Sequence, residues 1–437
     1  MAETNDIIHL LRRTEFSARP SRVAALTAMT LEDAVDDVLD FSQNIAKPPL
    51  PGMNVHDIPN RWQQRPFLHH WWIDGMATQP RPFQEKLTLF WHGHFTTEWA
   101  QSERNDLLMR QNQLYRDLAL GNFRTLTQLM AIEPAMIRYL SNANNVKAAP
   151  NENFARELME LFTLGVGNYT EDDVRASARA WTGHNDDGAS GNSYVFRPNQ
   201  HDNGLKTFFG TTRNWDGPEI IDEILRDNTI KQRTAAQFIA TKLWRFLAHQ
   251  QPDSALIDQL AAVFVTADME LRPLVRAMLL RPEFYSATAK QGMVRSPVEW
   301  AVAVLTHTGL TSAATWLFEW SIQMGQRVFD PPNAAGWKHN DYYLSTAALS
   351  ARASWAQGVV SRLRLGGGFD HLAPMADGDA VDLVADYFGV APLAVATRQV
   401  LIDTYRTEKT AAGGGMARAI STLLLMTLLS GEMNAPC

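Results

Sequence analysis

The stretch Asn151 to His184, NENFARELMELFTLGVGNYTEDDVRASARAWTGH, constrains the fold most, because it dictates two amphipathic helices meeting at a glycine-rich corner. At about 100° per residue, Phe154, Ala155, Leu158, Met159, Leu161 and Phe162 share one side of the first helix and form a core face. Glu152, Asn153, Arg156, Glu157, Glu160 and Thr163 occupy the other side, over roughly 140° of arc. Gly165 and Gly167 end this helix as C-terminal glycines do. Thr170 with Asp173 forms a capping box for the second helix. There Val174, Ala178 and Trp181 share the apolar face, and Arg175 and Arg179 form a basic ridge able to pair with the carboxylates before the corner.

The polar face has two readings. Glu152, Arg156 and Glu160 recur at i, i+4 and i+8, so one guanidinium can lie between two carboxylates on a single ridge, with Asn153 and Glu157 on the next. Such ridges are commonly solvated surface whose ion pairs contribute little. The alternative is a face that lines a polar site.

Upstream, helices are expected over Asp6–Thr14, Ser21–Ala28 and Leu31–Phe41, followed by a loop forced by Pro48, Pro49, Pro51 and Gly52. An aromatic-rich helix pair spans Arg65–Thr78 and Pro82–Trp99. It carries FWHGHF, whose His92 and His94 diverge by about 160° on a helix and meet one metal only if the backbone turns at Gly93. Buried, hydrogen-bonded core histidines are the other reading. Helices continue over Glu103–Leu120 and Phe123–Leu140, with Pro134 kinking or dividing the second, and Ser141–Pro150 is a polar linker.

After Trp181 the run HNDDGASGNSYVFRPNQHDNGLKTFFG turns rich in Gly, Asn and Asp, and Tyr194–Arg197 with Thr207–Phe209 reads as a β-hairpin or flap. Its tip, His201 to Lys206, is either a polar turn bonded to its own backbone or a lid over the central helix. Amphipathic helices resume from Pro218 to Val328. FDPPNAAGWKHNDYY then makes a rigid turn, a packing plug unless Asn333, Trp337 and His339 reach a cleft. A helix over Leu344–Leu365, a joint at Gly366–Gly368 and a helical appendage over Val381–Ser430 complete the chain. The fold class is mainly α, a large multi-helical orthogonal array with one short β-hairpin flap near residues 194–209. Residues 1–140, 141–365 and 366–437 form an N-terminal region, a central core and a C-terminal appendage, or one compact domain.

With 437 residues, 45% of them hydrophobic, the chain can bury a large core. A net charge of −7 argues against a nucleic-acid footprint. The single cysteine, Cys437, excludes an internal disulfide and a cysteine metal cluster. No apolar run reaches about 18 residues, so no membrane span is expected. MAETNDIIHLLRRTEF lacks the pattern of a signal peptide. As written, the sequence reads as cytoplasmic; an export signal ahead of it would make it periplasmic. A P-loop, a GxSxG elbow and an HExxH motif are all missing, which removes those hydrolase readings.

Four motifs in order, FWHGHF, NENFARELMELFTLGVGNYTEDDVRASARAWTG, FRPNQHDNGLKTFFG and GQRVFDPPNAAGW with LSTAALSAR, resemble the bacterial domain-of-unknown-function family 1800. The opening LLRRTEFSARP is similar to that family's start, so the resemblance runs nearly full length. It implies a predominantly helical bacterial protein without an established activity, from a family often exported and often encoded beside a second family similar to alkaline phosphatases and sulfatases. His184 stands where relatives commonly carry tryptophan. By motif, the family's polar positions fall on His92, His94, Asn151, Glu152, Asn153, Arg156, Glu157, Glu160, Arg179, His201, Asp202, Gly204 and Lys206.

Two functions follow. In one, the polar constellation is an ion-pair network in a scaffold, an assembly partner of a phosphatase- or sulfatase-like protein. In the other it is an enzyme site, hydrolase or oxidoreductase. Glu157, Glu160, His201 and Asp202 would act as acid–base groups, and Asn153, Arg156, Arg179 and Lys206 would hold substrate. A divalent metal would sit on His92, His94, Glu157 and Glu160.

Overall fold

The computed structural model describes residues 2–45, 61–102, 104–188 and 193–435. The predicted loop at Pro48–Gly52 and the terminal Cys437 lie outside them. The chain is mainly helical, with short 3-10 and π turns between α-helices and two small antiparallel sheets. No helix among the described residues is long and apolar enough to cross a membrane.

Two hydrophobic cores, interleaved along the sequence, organise these helices. The first gathers Ile7 to Leu39, the FWHGHF helix, the central stretch and the helices up to Ala289. The second joins Leu68–Met76 and Trp99–Leu108 to the helices after Val298, through to Met433. Segments on either side of residue 140 therefore pack into both.

The central stretch shows how local patterning was realised. Phe154, Ala155, Leu158, Met159 and Phe162 are buried as the apolar face requires. Gly165 and Gly167 take φ of +81° and +85°, the left-handed region that a C-terminal stop needs. The capping box closes in both directions, from Thr170 to the Asp173 amide and back. The first helix is not uniformly α, however: Asn153–Glu157 is α and Leu158–Thr163 is a π-helix. Thr163 donates its hydroxyl to the Leu158 carbonyl at 2.6 Å, five residues back, which supports the wider turn.

That wider turn rotates Glu160 off the expected ridge. Arg156 pairs with Glu152 at 3.1 Å and, across the corner, with Glu171 at 2.8 Å, while Glu160 accepts the Tyr169 hydroxyl at 2.5 Å. The basic ridge of the second helix turns elsewhere: Arg175 pairs with Asp172, and Arg179 with Asp202 at 2.7 Å.

The strands also differ from expectation. Tyr194–Phe196 (β2) pairs with His184–Asp186 (β1), and Lys206–Phe208 (β3) pairs with Thr211–Arg213 (β4), so the two apolar pieces join separate hairpins. A tight turn at Phe209 and Gly210 closes the second hairpin locally, which leaves the two pieces no need of each other. The loop carrying His201 to Lys206 packs on the second helix of the pair, Glu171–Ala180.

Candidate functional site

The FWHGHF segment stays helical through His94, in the helix Phe83–His94, so the turn at Gly93 that a shared metal requires is not made. His92 lies at 0% exposure and its Nε2 accepts the Phe329 amide at 2.9 Å. Its proton is therefore on Nδ1, and burial holds its pKa at about 3. His94 points the other way and donates its Nε2–H to the Phe162 carbonyl at 3.0 Å. Burial first, and the Lys242 charge second, hold it well below the usual histidine range. With Glu160 bonded to Tyr169, the set His92, His94, Glu157 and Glu160 does not converge on one point. Glu157 is half-buried, and desolvation followed by the Glu160 charge raises its carboxyl.

The FDPPNAAGW turn seats on FWHGHF. Thr96 donates to the Ala334 carbonyl at 2.6 Å, Trp99 donates its amide to the Phe329 carbonyl at 2.9 Å, and Trp337 packs 5.3 Å from His92. Gly336, at φ +80°, lets this happen: a Cβ there would lie 2.4 Å from the Gly93 carbonyl oxygen.

Three groups do converge. Among the described residues, one set of three or more His, Cys, Asp and Glu comes close enough together that it could hold a metal ion: His184, His201 and Asp216, whose ligand atoms all lie within 4.8 Å of one another. His201 alone of the three was a predicted site residue. It follows the 3-10 turn Pro198–Gln200 and donates Nδ1–H to the Thr182 carbonyl at 2.8 Å, which leaves Nε2 with a free lone pair. His184 meets Asp216 Oδ1 through Nε2 at 2.8 Å and the Tyr194 hydroxyl through Nδ1 at 2.9 Å. Burial pushes Tyr194 up to about 12, so it remains a hydroxyl. Asp216 caps the helix Gly217–Asp222 in a second capping box with Glu219. Burial opposes its charge, but the His184 bond and the Gly217 amide outweigh that and lower its carboxyl.

The surrounding sequence dictates this meeting point. Gly183, at φ +80°, turns the chain out of the second helix where a Cβ would lie 2.7 Å from the Arg197 carbonyl oxygen. Within the Ser141–Pro150 linker, the buried Asn142 and Asn145 act as a clamp. Asn142 donates to the His184 carbonyl at 2.8 Å, Asn145 donates to the Ala178 carbonyl at 2.9 Å, and Asn145 accepts the Asn151 amide at 2.9 Å. His184 stacks edge-on against Trp181, with centroids 4.7 Å apart.

The remaining predicted residues have structural partners. Asn153 donates to the Leu140 carbonyl at 3.2 Å. Arg179 holds Asp202 and the Leu205 carbonyl. Lys206, at 1% exposure, gives its ammonium to the carbonyls of Asp202, Gly204 and Trp215 and to Asn214 Oδ1. The tip is thus tied down by its own lysine. His184 and Asp216 were legible only as a histidine after a glycine and an N-cap aspartate, and nothing in their spacing joins them.

No curated protein and no solved structure matches this chain. The family model described as a protein of unknown function (DUF1800) matches residues 9–434, and the chain belongs to that family.

Proposed function

We propose that this protein binds one divalent first-row metal ion, zinc fitting best, through His184 Nε2, His201 Nε2 and Asp216 Oδ1, as a hydrolytic centre. The observation that carries this is the convergence of three ligand atoms within 4.8 Å, with the His201 tautomer set by Thr182. Two imidazoles and a carboxylate, with a fourth position open, match catalytic zinc donor sets. Tetrahedral ligands at about 2.0–2.2 Å from zinc stand roughly 3.4 Å apart, so His184 and Asp216, 2.8 Å apart, would separate slightly, and a set within 4.8 Å needs adjustments of about 1 Å. Both histidines are buried while the Asp216 side chain is 46% exposed, so access is from the carboxylate side. When bound, such an ion lowers the pKa of its water to about 7 and supplies a nucleophile. Tyr194 orients His184, and Thr182 orients His201.

Protein purified without a metal-affinity tag should carry, or take up in zinc titration calorimetry, about one equivalent per chain. His201→Ala and Asp216→Asn each remove a ligand and should lower affinity at least tenfold, the least lost when a group that merely orients a ligand is removed. A folded protein that binds no zinc, cobalt or manganese at micromolar concentration refutes the proposal.

A second reading, a non-catalytic scaffold for a phosphatase- or sulfatase-like neighbour, is supported by the ionic satisfaction of the central face, where Arg156 is shared between Glu152 and Glu171. Co-expression with that neighbour should then yield a stable complex with unchanged zinc content; separate elution of the two proteins on size exclusion removes this reading.

A further inference from the structure

Away from the triad, a polar cavity lies where FWHGHF meets the helix Thr229–Leu247 and the FDPPNAAGWKHNDYY loop. It has a volume of about 60 Å³. At about 10–15 Å³ per water-sized occupant, that accommodates a ligand of four or five heavy atoms. Phe90, Phe246 and Trp337 supply apolar wall; Lys242, His94 and Tyr343 supply polar groups.

Each of the three polar groups is incompletely used. Lys242 makes no salt bridge among the described residues; its ammonium has the Leu161 carbonyl at a long 3.4 Å and the Phe238 ring at 5.2 Å. His94, 2% exposed, spends Nε2–H on Phe162, and its Nδ1 is buried without a partner. Tyr343, 1% exposed, has a buried hydroxyl without a partner. The other charges in the wall are already matched: Glu299 pairs with Lys86 at 2.9 Å and accepts the Ser296 amide at 2.9 Å. His339, the remaining titratable group, is exposed at the rim.

A half-buried ammonium without a counter-ion is disfavoured, and each buried orphan is costly. Two donors, Lys242 and Tyr343, call for an anion's oxygens. The lone pair on His94 Nδ1 calls for a donor and repels a bare anion. We propose that this cavity binds a small oxyanion that carries one O–H group, such as hydrogencarbonate or hydrogenphosphate. Its charged oxygens meet Lys242 Nζ and the Tyr343 hydroxyl, and its O–H is donated to His94 Nδ1. Burial lowers Lys242 to about 8, so it is mostly protonated at neutral pH and the attraction is available there. The cavity shares no residue with His184, His201 or Asp216, so failure of the metal centre leaves this inference standing.

The test is titration calorimetry and thermal unfolding of the full chain with hydrogencarbonate, phosphate, acetate and chloride at matched ionic strength and pH 7.5. Hydrogencarbonate or phosphate should bind saturably near one equivalent, and whichever binds tighter identifies the class. Acetate, lacking the O–H, should bind at least tenfold more weakly. Lys242→Met should lose at least tenfold in affinity while keeping or raising its melting temperature without anion, because no carboxylate loses a partner and an unpaired charge is removed; Tyr343→Phe should lose several-fold. The absence of saturable binding by any of these anions overturns the proposal. So does unchanged affinity in both variants, and equal binding of acetate overturns the assignment to His94.

Discussion

Lys206 separates a substrate-holding lysine from a structural one. Its ammonium is 1% exposed and lies 2.5 Å from the Asp202 carbonyl, 2.9 Å from Asn214 Oδ1 and the Trp215 carbonyl, and 3.1 Å from the Gly204 carbonyl. Lys206→Met keeps the apolar stem and removes every donor at once. Hydrogen bonds to a charged group contribute about 1.5–3 kcal/mol each, and a buried acceptor left unmade costs about 1–3 kcal/mol. Because water can reach Gly204 on the outer side of the turn, we count the more enclosed acceptors only and expect a loss of about 3–5 kcal/mol, as for two or so hydrogen bonds to a charged group. A chain of this length need not unfold in two states, so the loss is best read locally. Hydrogen exchange should show amides over residues 206–215 losing protection by two or more powers of ten, while the helix Thr229–Leu247 is unchanged. Lys206→Arg, too bulky for the cage, should fall close to Lys206→Met. A loss of protection below about tenfold, or roughly 1.4 kcal/mol, would mean that the ammonium is free for a ligand and that the cage is not what holds the loop.

Two further outcomes test the packing and electrostatics. Gly336→Ala should destabilise the protein by a few kcal/mol, on the order of other strained left-handed positions, because its Cβ meets the Gly93 carbonyl at 2.4 Å; tryptophan fluorescence from Trp337 should change with it, and a wild-type melting curve would refute the docking. Glu133, buried and N-capping the helix Pro134–Tyr139, has its carboxyl raised by desolvation from 4.5 to about 7. Between those values the folded state holds a proton that the unfolded state has lost, so stability falls as pH rises through that window. Glu133→Gln keeps an acceptor for the Ala135 and Met136 amides and should flatten the stability profile between about pH 4.5 and 7; an unchanged slope would assign the pH dependence elsewhere.

Periodicity and capping chemistry made much of the helical framework legible. The buried face from Phe154 to Phe162, the Thr170–Asp173 box and the division at Pro134 are local consequences of residue type and spacing. Orientation of side chains beyond one turn was less legible. A single π-helix displaced Glu160 to Tyr169, and unbroken helix through Gly93 sent His92 and His94 to opposite partners.

By itself, then, the sequence determined that this chain is mainly helical, that its central stretch is two amphipathic helices with a glycine corner, and that it belongs with one family. Those properties depend on interactions within a few residues or on motif order. Only the tertiary structure decided which polar groups meet. His184 and Asp216 lie 32 residues apart and are joined because Gly183 turns the strand out and a helix cap brings the aspartate back; Lys242 and His94 line one cavity, each meeting one of two neighbouring carbonyls, Leu161 and Phe162, near the end of the central helix. Such encounters are set by the paths of loops between elements, which local propensity does not encode.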